Sequence, residues 1–202
     1  MNNATSIMDS PSGYGSISRA LHWGMAILFF WQFTSAILRV VSDQSVIYKF
    51  FWPSHSQLGF ALLVLVLLRA VWWVLNIDRR PPKSSRFGKV ATFTHLVVYT
   101  LMFLVPALAM LRTYGNGRGF SFLGIQLFEQ TGVKNDALTG PGNALHGLLG
   151  WILLAVIIGH VLMALAHHFL LHDDTLLRMT SRRPNEREGA KAIRMPYDDR
   201  DA

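Results

Sequence analysis

The segment from Ala144 to His168, "ALHGLLGWILLAVIIGHVLMALAHH", contains no Asp, Glu, Lys or Arg. An uncharged apolar run of this length fits a bilayer interior, where a helix satisfies every backbone N–H and C=O within itself. Three further apolar runs accompany it. The four segments cover roughly residues 18–40, 54–77, 89–111 and 142–171, each long enough to cross about 30 Å of hydrocarbon. The expected fold is therefore an all-α membrane protein, a bundle of four transmembrane helices.

Composition supports the same class. Of 202 residues, 51% are hydrophobic and 15% charged, where a soluble domain carries about a quarter. The charges collect in short segments between the apolar runs, which predicts lipid as the main partner. The absence of cysteine excludes disulfides, thiolate metal sites, iron–sulfur clusters and covalent c-type haem. Residues 1–16 are polar and lack the basic start and apolar core of a signal peptide, so they read as a disordered tail. Residues 17–175 hold the four spans, and 176–202 read as a charged, disordered tail.

Basic residues set the expected orientation. One side has Arg19, the loop residues Arg79, Arg80, Lys83, Arg86 and Lys89, and a C-terminal tail rich in arginine. The other side has only Arg39, Lys49, Arg112, Arg118 and Lys134, against Asp43, Glu129 and Asp136. Both termini are thus expected to be cytoplasmic. The net charge of +7 reflects this asymmetry, and no nucleic-acid partner is called for.

The histidines need a separate account. One histidine in a membrane helix can simply bond a neighbouring helix, but their arrangement suggests more. His146 and His160 are 14 residues apart, which puts them on one helix face about 21 Å apart along the axis. His146 then lies near the outer surface and His160 near the inner one. By the same reckoning His55 is outer and His22 inner. Depth suggests two pairs, His55 with His146 and His22 with His160. Facing histidines without a carboxylate or thiolate suit a bis-histidine b haem better than zinc. A small residue follows each by four positions, Ala26, Gly59, Gly150 and Ala164, leaving room for a porphyrin.

Arg69 lies 14 residues after His55, near the inner level. No span contains a carboxylate to pair with it, so it either meets a haem propionate or snorkels to the interface. His95, His167 and His168 fall on the inner side, where they touch a quinone, touch a propionate or simply pack. His172, beside Asp173 and Asp174, is expected to be solvated. Trp23, Trp52, Trp72 and Trp73 sit near span ends, as an aromatic belt does.

Five stretches together, "SRALHWGMAILFF", "HSQLGFALLVLVLLRAVWW", "THLVVYTLMFLVPALAM", "LHGLLGWILLAVIIGHVLMALAHHFL" and "DDTLLRM", resemble the prokaryotic cytochrome b561 family of di-haem membrane cytochromes. The likeness spans about residues 14–180. Its most specific parts are the early "LHW", the histidine spacing, "ALAHH" and "TLLRM". It implies two haem b groups ligated at the positions of His22, His55, His146 and His160, in the bacterial inner membrane. It further implies electron transfer between the periplasmic face and quinone. One branch is a superoxide oxidase, which reduces ubiquinone with electrons from superoxide. The loop between about Arg112 and Gly140 is the least family-like internal part.

Three functions compete. The first is a superoxide:quinone oxidoreductase. The second is an electron-transfer subunit that links a periplasmic dehydrogenase or hydrogenase to ubiquinone or another quinone. The third is a proton-coupled transporter, disfavoured because such proteins usually have more spans and broken helices.

Overall fold

The structure is a computed structural model that describes residues 7–11, 13–79, 88–172 and 176–180. Four long helices dominate it. α1 is Ser16–Val41; a short α2, Val46–Phe51, leads through a 3-10 turn, Trp52–Ser54, into α3, His55–Leu75. α4 is Gly88–Gly115 and α5 is Asp136–Phe169, with a one-turn α6, Leu177–Thr180, beyond. Two strands, β1 (Phe120–Phe122) and β2 (Ile125–Phe128), form an antiparallel hairpin between α4 and α5. We call the end of the bundle with this connection the hairpin end and the opposite one the tail end.

Among the described residues, four helices are long and apolar enough to cross a membrane, and the chain is a multi-pass membrane protein. Their outward surfaces carry large apolar side chains such as Phe30, Phe93 and Leu162. In water such surfaces would be strongly unfavourable, whereas lipid leaves them satisfied. The buried core is correspondingly thin. Met25 of α1, Leu62 and Val66 of α3, Leu101 and Met102 of α4, and Leu153 of α5 form one cluster. Leu153 lies midway between His146 and His160 in sequence, so this cluster is a mid-bundle layer.

Local chemistry sets the helix ends. Asn135 caps α5 by accepting from the N–H groups of Ala137 and Leu138. Pro53 stands in the 3-10 turn that separates α2 from α3. α4 and α5 approach closely near the hairpin end. A Cβ added at Gly142 would lie 2.6 Å from both Arg112 Cβ and the Leu108 carbonyl oxygen, and one at Gly115 would lie 2.6 Å from Leu138 Cβ. Helices α4 and α5 thus run longer than the apolar runs alone indicate, with only residues 116–135 between them.

The N-terminal segment departs from expectation. Residues 1–6 and 12 lie outside the described residues, but Asp9 is buried. Its Oδ1 accepts from Gly15 N–H and from Ser18 Oγ at 2.6 Å, and its own N–H donates to Asn76 Oδ1. Trp72 Nε1 donates to the same Ser18 hydroxyl. A buried carboxylate needs several donors, and this network fastens the segment across the tail ends of α1 and α3 rather than leaving it disordered. Trp23 Nε1 donates to the Met179 carbonyl, so the segment beyond α5 returns onto α1 at the tail end. The basic loop at 80–87 and the tail beyond 180 lie outside the described residues, as do Asp173 and Asp174.

Candidate functional site

At the hairpin end, His55 is the first residue of α3 and His146 sits on α5, ten residues beyond its start. Their ring centres are 6.4 Å apart, with planes at 86°. An imidazole nitrogen lies about 1.1 Å from its ring centre and about 2.0–2.1 Å from a metal it ligates, so two rings flanking one ion have centres roughly 6.3 Å apart. The observed spacing accommodates an ion between them.

Hydrogen bonds assign both tautomers. His146 Nδ1 lies 2.9 Å from the Val105 carbonyl oxygen, which can only accept. His55 Nδ1 lies 2.7 Å from Ser35 Oγ, and that hydroxyl gives its one proton to the Gln32 carbonyl at 2.6 Å. The hydroxyl must therefore accept from His55. Each ring carries its proton on Nδ1 and keeps the Nε2 lone pair for a metal.

A cavity of about 550 Å³ opens beside the pair, lined by Gly59, Gly147 and Gly150 among others, within the usual size range of cofactor pockets. Open space meets a Cβ built at Gly147, and at Gly150 only Val105 comes within 4.0 Å. Side chains there would take up cavity volume. Arg39 and Arg112 also line the cavity, and among the described residues no carboxylate does. Two cations without an acidic partner suit a bound group that brings its own anions, as haem propionates do.

Three of these supports were not legible in the residue pattern. Ser35 and Val105 act through geometry between helices. Trp52 is more than an interfacial aromatic, because it stacks on His55 at 4.8 Å between ring centres and carries the Arg39 guanidinium 4.3 Å from its own centre. Trp72, likewise, holds the Ser18 hydroxyl. The arginines offered a signal, since each closes a span on the otherwise sparsely charged side.

The tail end gathers a second cluster. Arg69 of α3 donates to His22 Nδ1 of α1 at 3.1 Å, and its guanidinium lies 5.7 Å from the ring centre of Tyr99. His95 sits edge-on against His160, with ring centres 5.5 Å apart, too close to hold an ion between those two. His95 Nδ1 donates to the Ala91 carbonyl at 2.5 Å. Because arginine only donates, His22 here accepts at Nδ1 and carries its proton on Nε2. This arm fits a metal only once Arg69 lets go.

The other histidines stand apart from this cluster to differing degrees. His167 is half-buried, seven residues beyond His160. His168 meets the Phe169 ring at 4.8 Å. His172 is exposed, with Nδ1 donating to the Leu170 carbonyl. Among the described residues, no three His, Asp or Glu side chains gather as a metal cage, so pairs are what the bundle offers.

The family model for prokaryotic cytochrome b561 matches residues 13–182. "Cytochrome b561 homolog 2" of Escherichia coli is 30% identical over 177 residues, 86% of this chain and 94% of that protein. "Probable superoxide oxidase CybB" of Yersinia pestis is 30% identical over 169 residues, 82% of this chain and 94% of the relative. "Cytochrome b562" of Cereibacter sphaeroides is 29% identical over 182 residues, 85% and 98% respectively. The chain belongs to the prokaryotic cytochrome b561 family, whose members are membrane electron-transfer proteins carrying haem b.

Proposed function

We propose that this protein carries two b haems, lies in the bacterial inner membrane with both termini cytoplasmic, and moves electrons from periplasmic superoxide to ubiquinone or another membrane quinone. The observation that carries the reading is the hairpin-end pair, two histidines at ion-bridging distance with both Nδ1 protons already engaged. The likeness to a relative named as a superoxide oxidase supports superoxide as donor.

His55 and His146 hold the outer group, and His22 and His160 the inner one. Haem b bound at such pairs supplies reversible one-electron transfer. The chain supplies position, charge and protons. Arg39 and Arg112 draw an anion toward the hairpin-end cavity. At the tail end, Arg69 would be free to pair with a propionate of a bound haem once it released His22, whose Nδ1 would then carry the proton and leave Nε2 to hold the group. The quinone lies beside the inner pair, near His95, with His167 and His168 further along the tail end. His95, its Nδ1 proton held by Ala91, takes up a second proton at Nε2 and passes it to a quinone oxygen. Two superoxide ions give up one electron each and leave as dioxygen, and one quinone takes those two electrons with two protons to become the quinol.

Stopped-flow mixing of the oxidised, purified protein with superoxide, followed by quinone, tests this. Haem reduction in the first step and reoxidation in the second are expected, with the outer haem signal lost in His55→Ala and the inner one lost in His22→Ala. Haem that stays oxidised with superoxide but is reduced by a small-molecule reductant would reject superoxide and favour the electron-transfer subunit fed by a protein donor.

A further inference from the structure

The hairpin between α4 and α5 has an unusual tip. Phe122 pairs with Ile125, leaving Leu123 and Gly124 as a two-residue turn with φ of 49° and 83°. Such turns favour Asn or Gly at the first position, because a positive φ strains most side chains. Here the position holds leucine, 86% exposed. Ile125 and Leu127 beside it are 66% and 40% exposed. From Gly119 to Phe128 the segment has no charge, and Arg118 and Glu129 bracket it. In water this strained, greasy turn has nothing to recommend it.

Its position supplies the reason. Phe60 of α3 meets Phe120 at 5.5 Å and Phe122 at 4.9 Å between ring centres, and Gln57 Nε2 donates to the Ser121 carbonyl at 2.9 Å. Gln57 and Phe60 head the α3 stripe that continues through Val64, Leu67, Leu68 and Val71, all exposed on the bundle surface. That stripe faces lipid. Phe60 lies five residues into α3, in the half of the helix nearest the hairpin end. The hairpin is thus docked on the exposed flank of α3, near the hairpin-end start of that helix.

We infer that the β1–β2 hairpin is immersed in the hairpin-end leaflet, with Leu123, Ile125 and Leu127 among lipid acyl chains, as a membrane anchor for the loop beside the cavity. Its backbone edges remain near the headgroups, where water can satisfy them. Lipid is favoured over a docked protein because the exposed tip continues the lipid-facing stripe without an intervening charge.

The chain has no cysteine, so single nitroxide labels can be placed cleanly. Leu123→Cys and Ile125→Cys, reconstituted in phosphatidylcholine–phosphatidylglycerol vesicles, are compared with Leu68→Cys as a lipid reference and Lys134→Cys as a water reference. An unchanged haem spectrum certifies each fold. Power-saturation measurements should find the tip labels several-fold more accessible to oxygen than to a water-soluble nickel chelate, as at position 68. Tip labels that meet the chelate as freely as position 134 does would overturn the inference. So would tip labels shielded from oxygen and chelate alike, which would indicate burial against protein.

Discussion

A histidine that ligates a metal must keep one nitrogen bare, and its partner on the other nitrogen decides which. Ser35 does this for His55 across the α1–α3 contact, and it can do so only because Gln32 O takes its own proton. Removing the hydroxyl should leave His55 free to change tautomer and rotate. Ser35→Ala is therefore expected to weaken haem retention at the hairpin-end pair by about 10- to 100-fold, the usual cost of losing such a partner. The tail-end haem should be unaffected, which haem titration of the variant, followed by redox-resolved spectra, would check. The meeting of His55 with His146 was legible in the sequence, because a 14-residue spacing on one apolar helix fixes face and depth together. Ser35 and Val105 were not, since nothing in a serine or valine codon announces which helix will pass beside it. Arg69 was legible as a charge needing a partner, but its contact with His22 was not.

Between elements, the closest approach is that of α4 and α5. Glycine at 142 lets the Leu108 carbonyl and Arg112 side chain touch the α5 backbone, and membrane helices gain most of their association from such packing. Gly142→Leu should force these helices apart near the cavity and destabilise the bundle by about 1–3 kcal/mol, the typical cost of overpacking. Thermal unfolding in nanodiscs, read by loss of the haem spectrum, would show a lower midpoint. Four spans were readable from apolar length alone, because hydrocarbon thickness imposes a minimum run. The extra helical turns at Leu111–Gly115 and Asp136–Pro141 were not, since they form above the apolar runs and depend on contacts between two helices. The hairpin and the folded N-terminal segment escaped notice for a related reason. Both are held by long-range partners, Phe60 and Gln57 in one case and Asn76 in the other, rather than by local pattern.

At the scale of the whole molecule, charge is divided between the two ends. Arg39 and Arg112 stand at the cavity on the end that has few basic residues overall. If they steer an anionic donor, the doubly substituted Arg39→Ser/Arg112→Ser protein should react more slowly with superoxide, and its rate should fall less with added salt than that of the wild type. Stopped-flow rates across a salt series, on protein with confirmed haem content, give the comparison, and a neutral reductant should reduce both proteins alike.

The thin core layer around Leu153 has a further consequence, an electrical one. It separates two histidine levels about 21 Å apart on a single rigid helix, roughly two-thirds of the hydrocarbon thickness. An electron passing between them crosses most of the transmembrane voltage. A full crossing is worth about 2.3 kcal/mol per 100 mV, so this passage feels on the order of 1.6 kcal/mol for each 100 mV. In the orientation proposed above, an interior-negative potential opposes inward transfer by that amount. An energised membrane would act as a brake on the protein, and a collapsed one would release it.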